Sequence, residues 1–243
     1  DATPVLRRAD EVAEELAALD DDTMALAAAA GLRLALGEWN SYRGSTTDLI
    51  REYKRAVELL DRALEIDPAQ PSQRASRLNA LNTIAVATQR LGDFEAASAT
   101  FQRALGEVAE LRLRDPSNTS WARQELSMLN NAADAELSLR RTDRALALAQ
   151  QQLQLAEELG THISDVAEVA RAHSLAHQRV ASALLAAGRP EEALEFARRA
   201  VALADQAAER FPGDAEVRSE RVTSRTWLAG ALASMDRLAE AME

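Results

Sequence analysis

Apolar residues recur at helical spacing along nearly the whole chain. The first predicted helix covers residues 2–19. Its apolar residues Leu6, Ala13 and Leu16 are seven and three positions apart, and this spacing places them on one face of the helix. The residues between them are mostly charged, as on a solvent-facing side. The same spacing predicts helices over residues 23–37 and 48–66, and alternating helices and short turns from Ser72 onward.

Two polar stretches interrupt this pattern. "LDDDT" (Leu19–Thr23), including Asp20-Asp21-Asp22, offers side chains that can cap the second helix. "NSYRGSTTD" (Asn40–Asp48) is the least helical stretch, and Thr47 or Asp48 can cap the next helix. We therefore predict an N-terminal helical cap with an irregular loop over residues 1–47, followed by a longer helical region.

From residue 48 to the end, the sequence repeats with a period of 48 residues. Two alanine columns and the helix-ending pair Asp-Pro define this period. The first column is Ala85, Ala133, Ala181 and Ala229; the second is Ala97, Ala145, Ala193 and Ala241; Asp67-Pro68 maps onto Asp115-Pro116. The predicted repeats are residues 48–70, 71–117, 118–163, 164–212 and a truncated 213–243.

Each repeat has the length and pattern of two antiparallel helices. Alanine suits the points where two helices approach most closely, because its methyl group lets the backbones come together. One such pair cannot bury its apolar face alone, so successive pairs are expected to stack.

The second-helix motifs resemble the tetratricopeptide repeat (TPR) family. They are "YKRAVELLDRALEIDP" (Tyr53–Pro68), "LGDFEAASATFQRAL" (Leu91–Leu105) and "AGRPEEALEFARRAV" (Ala187–Val201). The resemblance implies an all-α fold, a right-handed α-solenoid of antiparallel helix pairs with about 10–11 helices.

The repeats depart from the usual TPR length of about 34 residues by two additional heptads. We expect one heptad in each helix, with the first copy, ending at Pro68, lacking about seven residues of its second helix. The third copy replaces the turn glycine by Arg140, and the last replaces it by Asp236. A left-handed conformation is more costly for arginine than for glycine.

A looser resemblance covers residues 25–68 together with "DPSNTSW" (Asp115–Trp121). This arrangement is similar to the C-terminal regions of some bacterial receptor-type serine/threonine kinases. It implies that the chain is the sensory or docking region of a larger bacterial signalling protein. Its location would then be periplasmic, and otherwise cytoplasmic.

Composition and charge narrow the possible partners. The net charge is −11, so we expect no nucleic-acid partner. The chain lacks cysteine, and it contains no apolar run of about 18 residues, so we expect no membrane insertion within this fragment.

The only candidate metal site is a pair of histidines. His173 and His177 are four positions apart on a predicted helix, but the residues between them include no glutamate. His177 lies in the packing column of Leu81 and Leu129, and His173 lies in a column that we expect to be solvated. We therefore expect no metal, no cofactor, no catalytic residues and no enzyme activity.

The remaining candidate site is the concave face that first helices line in TPR proteins. Two interpretations of this face stay open: it is a groove for a protein or peptide ligand, or it is a polar face that is solvated or lies between repeats. The candidates are Asn79, Asn82, Thr83, Val86, Gln89, Arg90, Ser127, Asn130, Asn131, Asp134, Leu137, Leu175, Gln178, Arg179, Ser182, Leu185, Thr223, Thr226, Trp227 and Gly230.

Three hypotheses of function follow from these patterns. The first is a non-catalytic protein-binding or peptide-binding scaffold, and the second is a structural module that forms a homodimer. The third is an enzyme or metal protein. Trp39 and Tyr42 either seal the end of the helical array or contribute to a ligand site.

Overall fold

The computed structural model describes residues 3–19, 21–160 and 166–235, and these residues form ten α-helices and no β-strand. The predicted fold class, an all-α TPR-like α-solenoid of antiparallel helix pairs, is confirmed. The helices are α1 (Thr3–Ala17), α2 (Thr23–Tyr42), α3 (Thr46–Ile66), α4 (Pro71–Arg90), α5 (Phe94–Arg114), α6 (Thr119–Ser138), α7 (Thr142–Gly160), α8 (Val166–Ala186), α9 (Pro190–Arg210) and α10 (Ala215–Ala233).

The chain divides into two compact units, Asp1–Glu107 and Val108–Glu243, and the boundary falls within α5. In the first unit, α2 packs against α1 and α3, and α3 packs against α4. In the second unit, each helix from α6 to α10 packs against the next, and α8 also contacts α6 and α10. None of the helices in the described part of the chain is long and apolar enough to cross a membrane.

The two alanine columns lie in the helix contacts, as their spacing predicts. Their members are fully buried except for the last of each column. Ala229 is half-buried, and Ala241 lies outside the described residues. The buried members are Ala85, Ala133, Ala181, Ala97, Ala145 and Ala193.

The first column continues into α2, where Gly37 stands one period before Ala85. A Cβ atom added to Gly37 would lie 2.5 Å from Cδ2 of the Tyr53 ring. The two helices of the first pair therefore approach more closely than alanine would allow.

Four helix ends share one turn geometry. A residue with positive φ follows each first helix, and the backbone N–H groups of this residue and the next donate to carbonyls in the last helical turn. The four residues are Gly44 (φ 81°), Gly92 (φ 87°), Arg140 (φ 54°) and Gly188 (φ 73°). The predicted replacement of a turn glycine by Arg140 thus places a side chain in the left-handed region, and Asp236 lies outside the described residues.

The irregular loop predicted at Asn40–Asp48 is shorter in the structure, where the non-helical residues are 43–45. Helix α2 continues to Tyr42, and α3 begins at Thr46 with Ser45 as its N-cap. Asn40 and Ser41 tolerate the last helical turn because the Gly44 turn satisfies its end: the Ser45 N–H donates to the Asn40 carbonyl at 2.9 Å.

Helix α2 packs against α3 as well as against α1, and α2 and α3 are the first helix pair. The predicted boundary at residue 47 stays a prediction. Helix α3 has 21 residues, as α5 does, and therefore lacks no heptad. The acidic stretch before α2 acts as predicted, because Asp22 accepts hydrogen bonds from the Met24 and Ala25 N–H groups; Asp20 lies outside the described residues.

Candidate partner-binding groove

A groove of about 500 Å³ opens between α2 and α4 in the first unit. Both helices are first helices of their pairs, and side chains of α3 form its floor. The lining residues are Glu38, Ser41 and Tyr42 from α2, Leu49 and Tyr53 from α3, and Asn82, Thr83, Val86, Ala87 and Arg90 from α4.

The wall on α4 follows from helical spacing. Asn82, Val86 and Arg90 are four residues apart, so their side chains lie along one face. The neighbouring face carries Ala80 and Ile84, which are buried against α3 side chains in the apolar core. One side of α4 therefore holds the helix in the fold and the adjacent side borders the groove.

The floor of the groove contains a polar group, the Tyr53 hydroxyl. The Tyr53 ring is buried, and its hydroxyl makes a long hydrogen bond of 3.5 Å to a carboxylate oxygen of Glu38. Burial raises the pKa of the Tyr53 hydroxyl, and the negative charge of Glu38 raises this pKa further. The floor therefore presents a neutral phenol at physiological pH.

The α2 wall carries an exposed aromatic side chain. Tyr42 is 89% exposed, and Trp39, three residues earlier on the same helix, is also partly exposed. Positions 48, 96 and 144 residues after Trp39 hold Ala87, Ala135 and Ala183, all of which are buried. An aromatic residue thus replaces the alanine of the other repeats at this end, and aromatic residues are frequent anchors of protein interfaces.

The predicted groove residues of α4 divide into two sets. Asn82, Val86 and Arg90 line the groove. Asn79 is exposed and Gln89 is half-buried, and neither belongs to the lining.

The corresponding residues of the second unit are engaged between helices. Arg179 on α8 donates from Nε and Nη2 to Oδ1 of Asn130 on α6, at 3.0 and 2.8 Å, and forms an ion pair with Asp134. Burial lowers the pKa of Arg179 and raises that of Asp134, while the ion pair opposes both shifts. Asn130 also donates to Oδ1 of Asn131 at 3.3 Å.

Further along α8, Gln178 is only 3% exposed and is therefore not available to a ligand in this structure. Its amide donates to Oγ of Ser174 at 3.3 Å and also to Glu220 of α10. Ser182 is half-buried, and Trp227 is partly exposed on α10.

The sequence contains a signal for these contacts, because residues of opposite charge recur slightly less than one period apart. Asp134 and Arg179 are separated by 45 residues, and so are the ion pairs Arg123–Glu168 and Arg171–Glu216. Opposite charges at about the repeat length therefore mark contacts between successive first helices, a signal that the single-helix pattern does not contain.

The column that contains His173 is only partly solvated: Arg77 and His173 are half-buried and Glu125 is buried, whereas Arg221 is exposed. Arg77 pairs with Asp61 and Glu107, and Glu125 accepts a hydrogen bond from Arg112 at 2.7 Å. These positions face the preceding second helix, because it packs against the start of the next first helix.

The two histidines make separate contacts within the second unit. His173 Nε2 lies 2.8 Å from the Ala156 carbonyl oxygen, and His177 Nδ1 lies 2.9 Å from the His173 carbonyl oxygen. The His177 ring packs against Phe196 with centroids 5.9 Å apart. Among the described residues, no group of three or more potential metal ligands comes together.

These repeated helix pairs place the protein in the class of TPR-like α-solenoids. No protein-family model matches the chain, and no curated protein sequence matches it. Among solved structures, it is similar to BtubC (BKLC) from P. vanneervenii, with a TM-score of 0.69 and 16% identity over 98% of this chain and 85% of BtubC.

Two further solved structures share the fold. The apo form of RapI has a TM-score of 0.64 and 12% identity, over 88% of this chain and 66% of RapI, just under two thirds of its length. A putative kinesin light chain of Podosopora anserina, with nearly identical TPR-like repeats, has a TM-score of 0.56 and 22% identity over 86% of this chain and 88% of that one. Because the sequence identities are this low, the similarity shows a shared fold alone.

Proposed function

We propose that the chain is a non-catalytic scaffold that binds a segment of a partner protein in the groove between α2 and α4. The observation that carries the proposal is the lining of this groove, which combines two opposite charges, an exposed aromatic ring and apolar side chains. In the first unit, the face of the first helices opens into a groove of about 500 Å³. In the second unit, Arg179 contacts Asn130 and Asp134 across part of the equivalent face, and an opening of about 560 Å³ at the end of that face is lined by Leu137, Ser138 and Ala186.

The groove has the chemistry that a peptide segment needs. Glu38 and Arg90 carry opposite charges on opposite walls, and Tyr42 supplies an exposed aromatic surface. Val86 and Leu49 add apolar contact area below them. A ligand with an apolar anchor and at least one acidic side chain fits this combination.

A finer proposal concerns the parent protein. The resemblance of residues 25–68 and 115–121 to receptor-type kinases supports a sensory or docking region within a larger bacterial signalling protein. The complete coding sequence tests this proposal. A kinase or another signalling module in the same open reading frame is expected, and its absence would overturn it.

The groove proposal is tested by selecting ligands from a random peptide phage library on the purified chain. Affinities of the selected peptides, labelled with a fluorophore, are then measured by anisotropy. We expect Tyr42→Ala and Arg90→Glu each to weaken binding by about tenfold, roughly 1.4 kcal/mol. Arg103→Glu, at an exposed position of α5 outside the groove lining, is the matched charge control and should bind as the wild type does.

Equal affinity of the groove variants and the wild type would contradict the proposal. A concentration-dependent homodimer whose mass is unaffected by the groove variants would favour the structural module instead. Analytical ultracentrifugation of the same proteins distinguishes these outcomes.

A further inference from the structure

A buried arginine joins three helices of the first unit. The side chain of Arg33 on α2 is 3% exposed and forms ion pairs with Asp10 and Glu14 of α1. Its Nη1 also lies 3.1 Å from Oε2 of Glu52, which is buried on α3. A guanidinium group without water must be matched by such partners, because an unpaired buried charge is strongly destabilising.

The repeats show that packing alone does not require this arginine. One, two and three periods after Arg33, the chain has Leu81, Leu129 and His177. Three periods after Glu52, the chain has Phe196. The aromatic rings of His177 and Phe196 pack against each other. The first pair therefore has an ion pair where a later pair has an aromatic contact.

Glu52 does not require Arg33 for charge compensation. Arg51 Nε lies 3.0 Å from one of its carboxylate oxygens, and Arg55 Nη1 lies 3.6 Å from the other. The positive charge of Arg33 is therefore available to attract the carboxylates of Asp10 and Glu14 on α1. Replacing a buried ion pair by apolar residues is often neutral or stabilising, so its presence is better explained by recognition than by stability.

Helix α1 makes a shallow contact with this surface. Ala13 is its only fully buried side chain among the residues described for α1, while Leu16 and Ala17 are partly buried against the apolar cluster of α2 and α3. Asp10 and Glu14 remain 56% and 66% exposed. Helices with few buried contacts open at low free energy, so α1 can leave while the helix pair below it stays folded.

We propose that the Arg33 surface of α2 is a docking site for an acidic helix, filled by α1 in this structure, and that a helix of a partner protein displaces α1. The chemistry of α1 describes that partner: two carboxylates one helical turn apart, with alanine and leucine on the same face. None of the four charged residues of this site lines the groove between α2 and α4, so the inference is independent of the groove.

The test uses a fluorescein-labelled peptide of residues 3–19 as the probe and the full chain as the receptor. In one receptor, Asp10→Asn and Glu14→Gln weaken the attachment of its own α1. We expect this receptor to bind the peptide at least tenfold more tightly than the wild type does, because the competing helix is weakened. A peptide with the same two substitutions should lose at least tenfold in affinity.

Adding Arg33→Leu to the receptor should abolish the difference between the acidic and the neutral peptide. Leucine is the residue of the equivalent positions Leu81 and Leu129, and equal helix content by circular dichroism verifies that the variant is folded. Tyr42→Ala in the groove should leave peptide binding unchanged.

Two results would overturn the proposal. One is peptide binding that is absent, or that is the same with and without Arg33 and the two carboxylates. The other is a stoichiometric dimer of the double-variant receptor that excludes the peptide, because the occupant of the surface would then be a second copy of this chain.

Discussion

Arg179 on α8 and Asn130 on α6 are joined by two hydrogen bonds, from Nε at 3.0 Å and from Nη2 at 2.8 Å. The contact links first helices of successive pairs, and the ion pair of Arg179 with Asp134 reinforces it. The guanidinium side chain is mostly buried, so its partners replace water that it loses on folding.

We expect Arg179→Leu to lower the free energy of unfolding by about 2–3 kcal/mol, because Asn130 and Asp134 would lose their shared partner. Urea denaturation followed by circular dichroism measures this change. Arg90→Leu is the control, since Arg90 is exposed at the groove, and it should change stability by less than about 0.5 kcal/mol. Equal effects of the two substitutions would contradict a structural role for Arg179.

The two glycines within α2 form a matched pair. A Cβ at Gly37 would meet the Tyr53 ring at 2.5 Å, whereas a Cβ at Gly31 would meet nothing within 4 Å. We expect Gly37→Ala to destabilise by about 1–3 kcal/mol through overpacking, and Gly31→Ala to stabilise by about 0.5–1 kcal/mol through helix propensity. Thermal unfolding of both variants measures the difference, and effects of the same sign would contradict the close approach of α2 and α3.

The turn after α6 contains a non-glycine residue in the left-handed region, Arg140 with φ 54°. Arg140→Gly should stabilise the protein by about 1 kcal/mol, because glycine adopts this conformation without a Cβ clash. Gly188→Ala, at the equivalent turn with φ 73°, should destabilise by a similar amount. Chemical denaturation tests both variants, and a loss of stability in Arg140→Gly would show that the side chain contributes more than the strain that it imposes.

His177 makes stability depend on pH. Burial lowers the pKa of its imidazole below the ordinary value of about 6.5, so the folded state favours the neutral ring. The unfolded chain then binds more protons as the pH falls through 6.5 toward the folded pKa, and stability is lost in that range. As the pH is lowered from 7.5 to 5.5, the melting temperature of His177→Leu should therefore fall less than that of the wild type. Parallel profiles of melting temperature against pH would contradict this assignment.

The turns after the first helices and the two alanine columns could be predicted, because they depend on the local sequence and on the 48-residue period. The period identified the alanine columns and located the turn where Arg140 replaces glycine. The same reading failed at Asn40 and Ser41, because polar residues are weak helix breakers when a following glycine closes the helix end.

The candidate site was only partly predictable. Helical spacing predicted that Asn82, Val86 and Arg90 share one face of α4, but by the same reasoning it made Gln178 and Arg179 candidate groove residues as well. Which of these faces stays open depends on whether a neighbouring helix brings a matching side chain to it. Asp134 and Glu220 supply that match in the second unit.

The helical class, the repeat length, the close-contact positions and most of the turns could be predicted from the sequence alone, because each depends on residues near one another in the chain or one period apart. The packed structure was needed to show that Arg33 is buried beneath α1, that Tyr42 lines an open groove, and that Arg179 is engaged in a contact between helices. Burial and pairing depend on the distance and angle between helices, and these are set by all the packed side chains together.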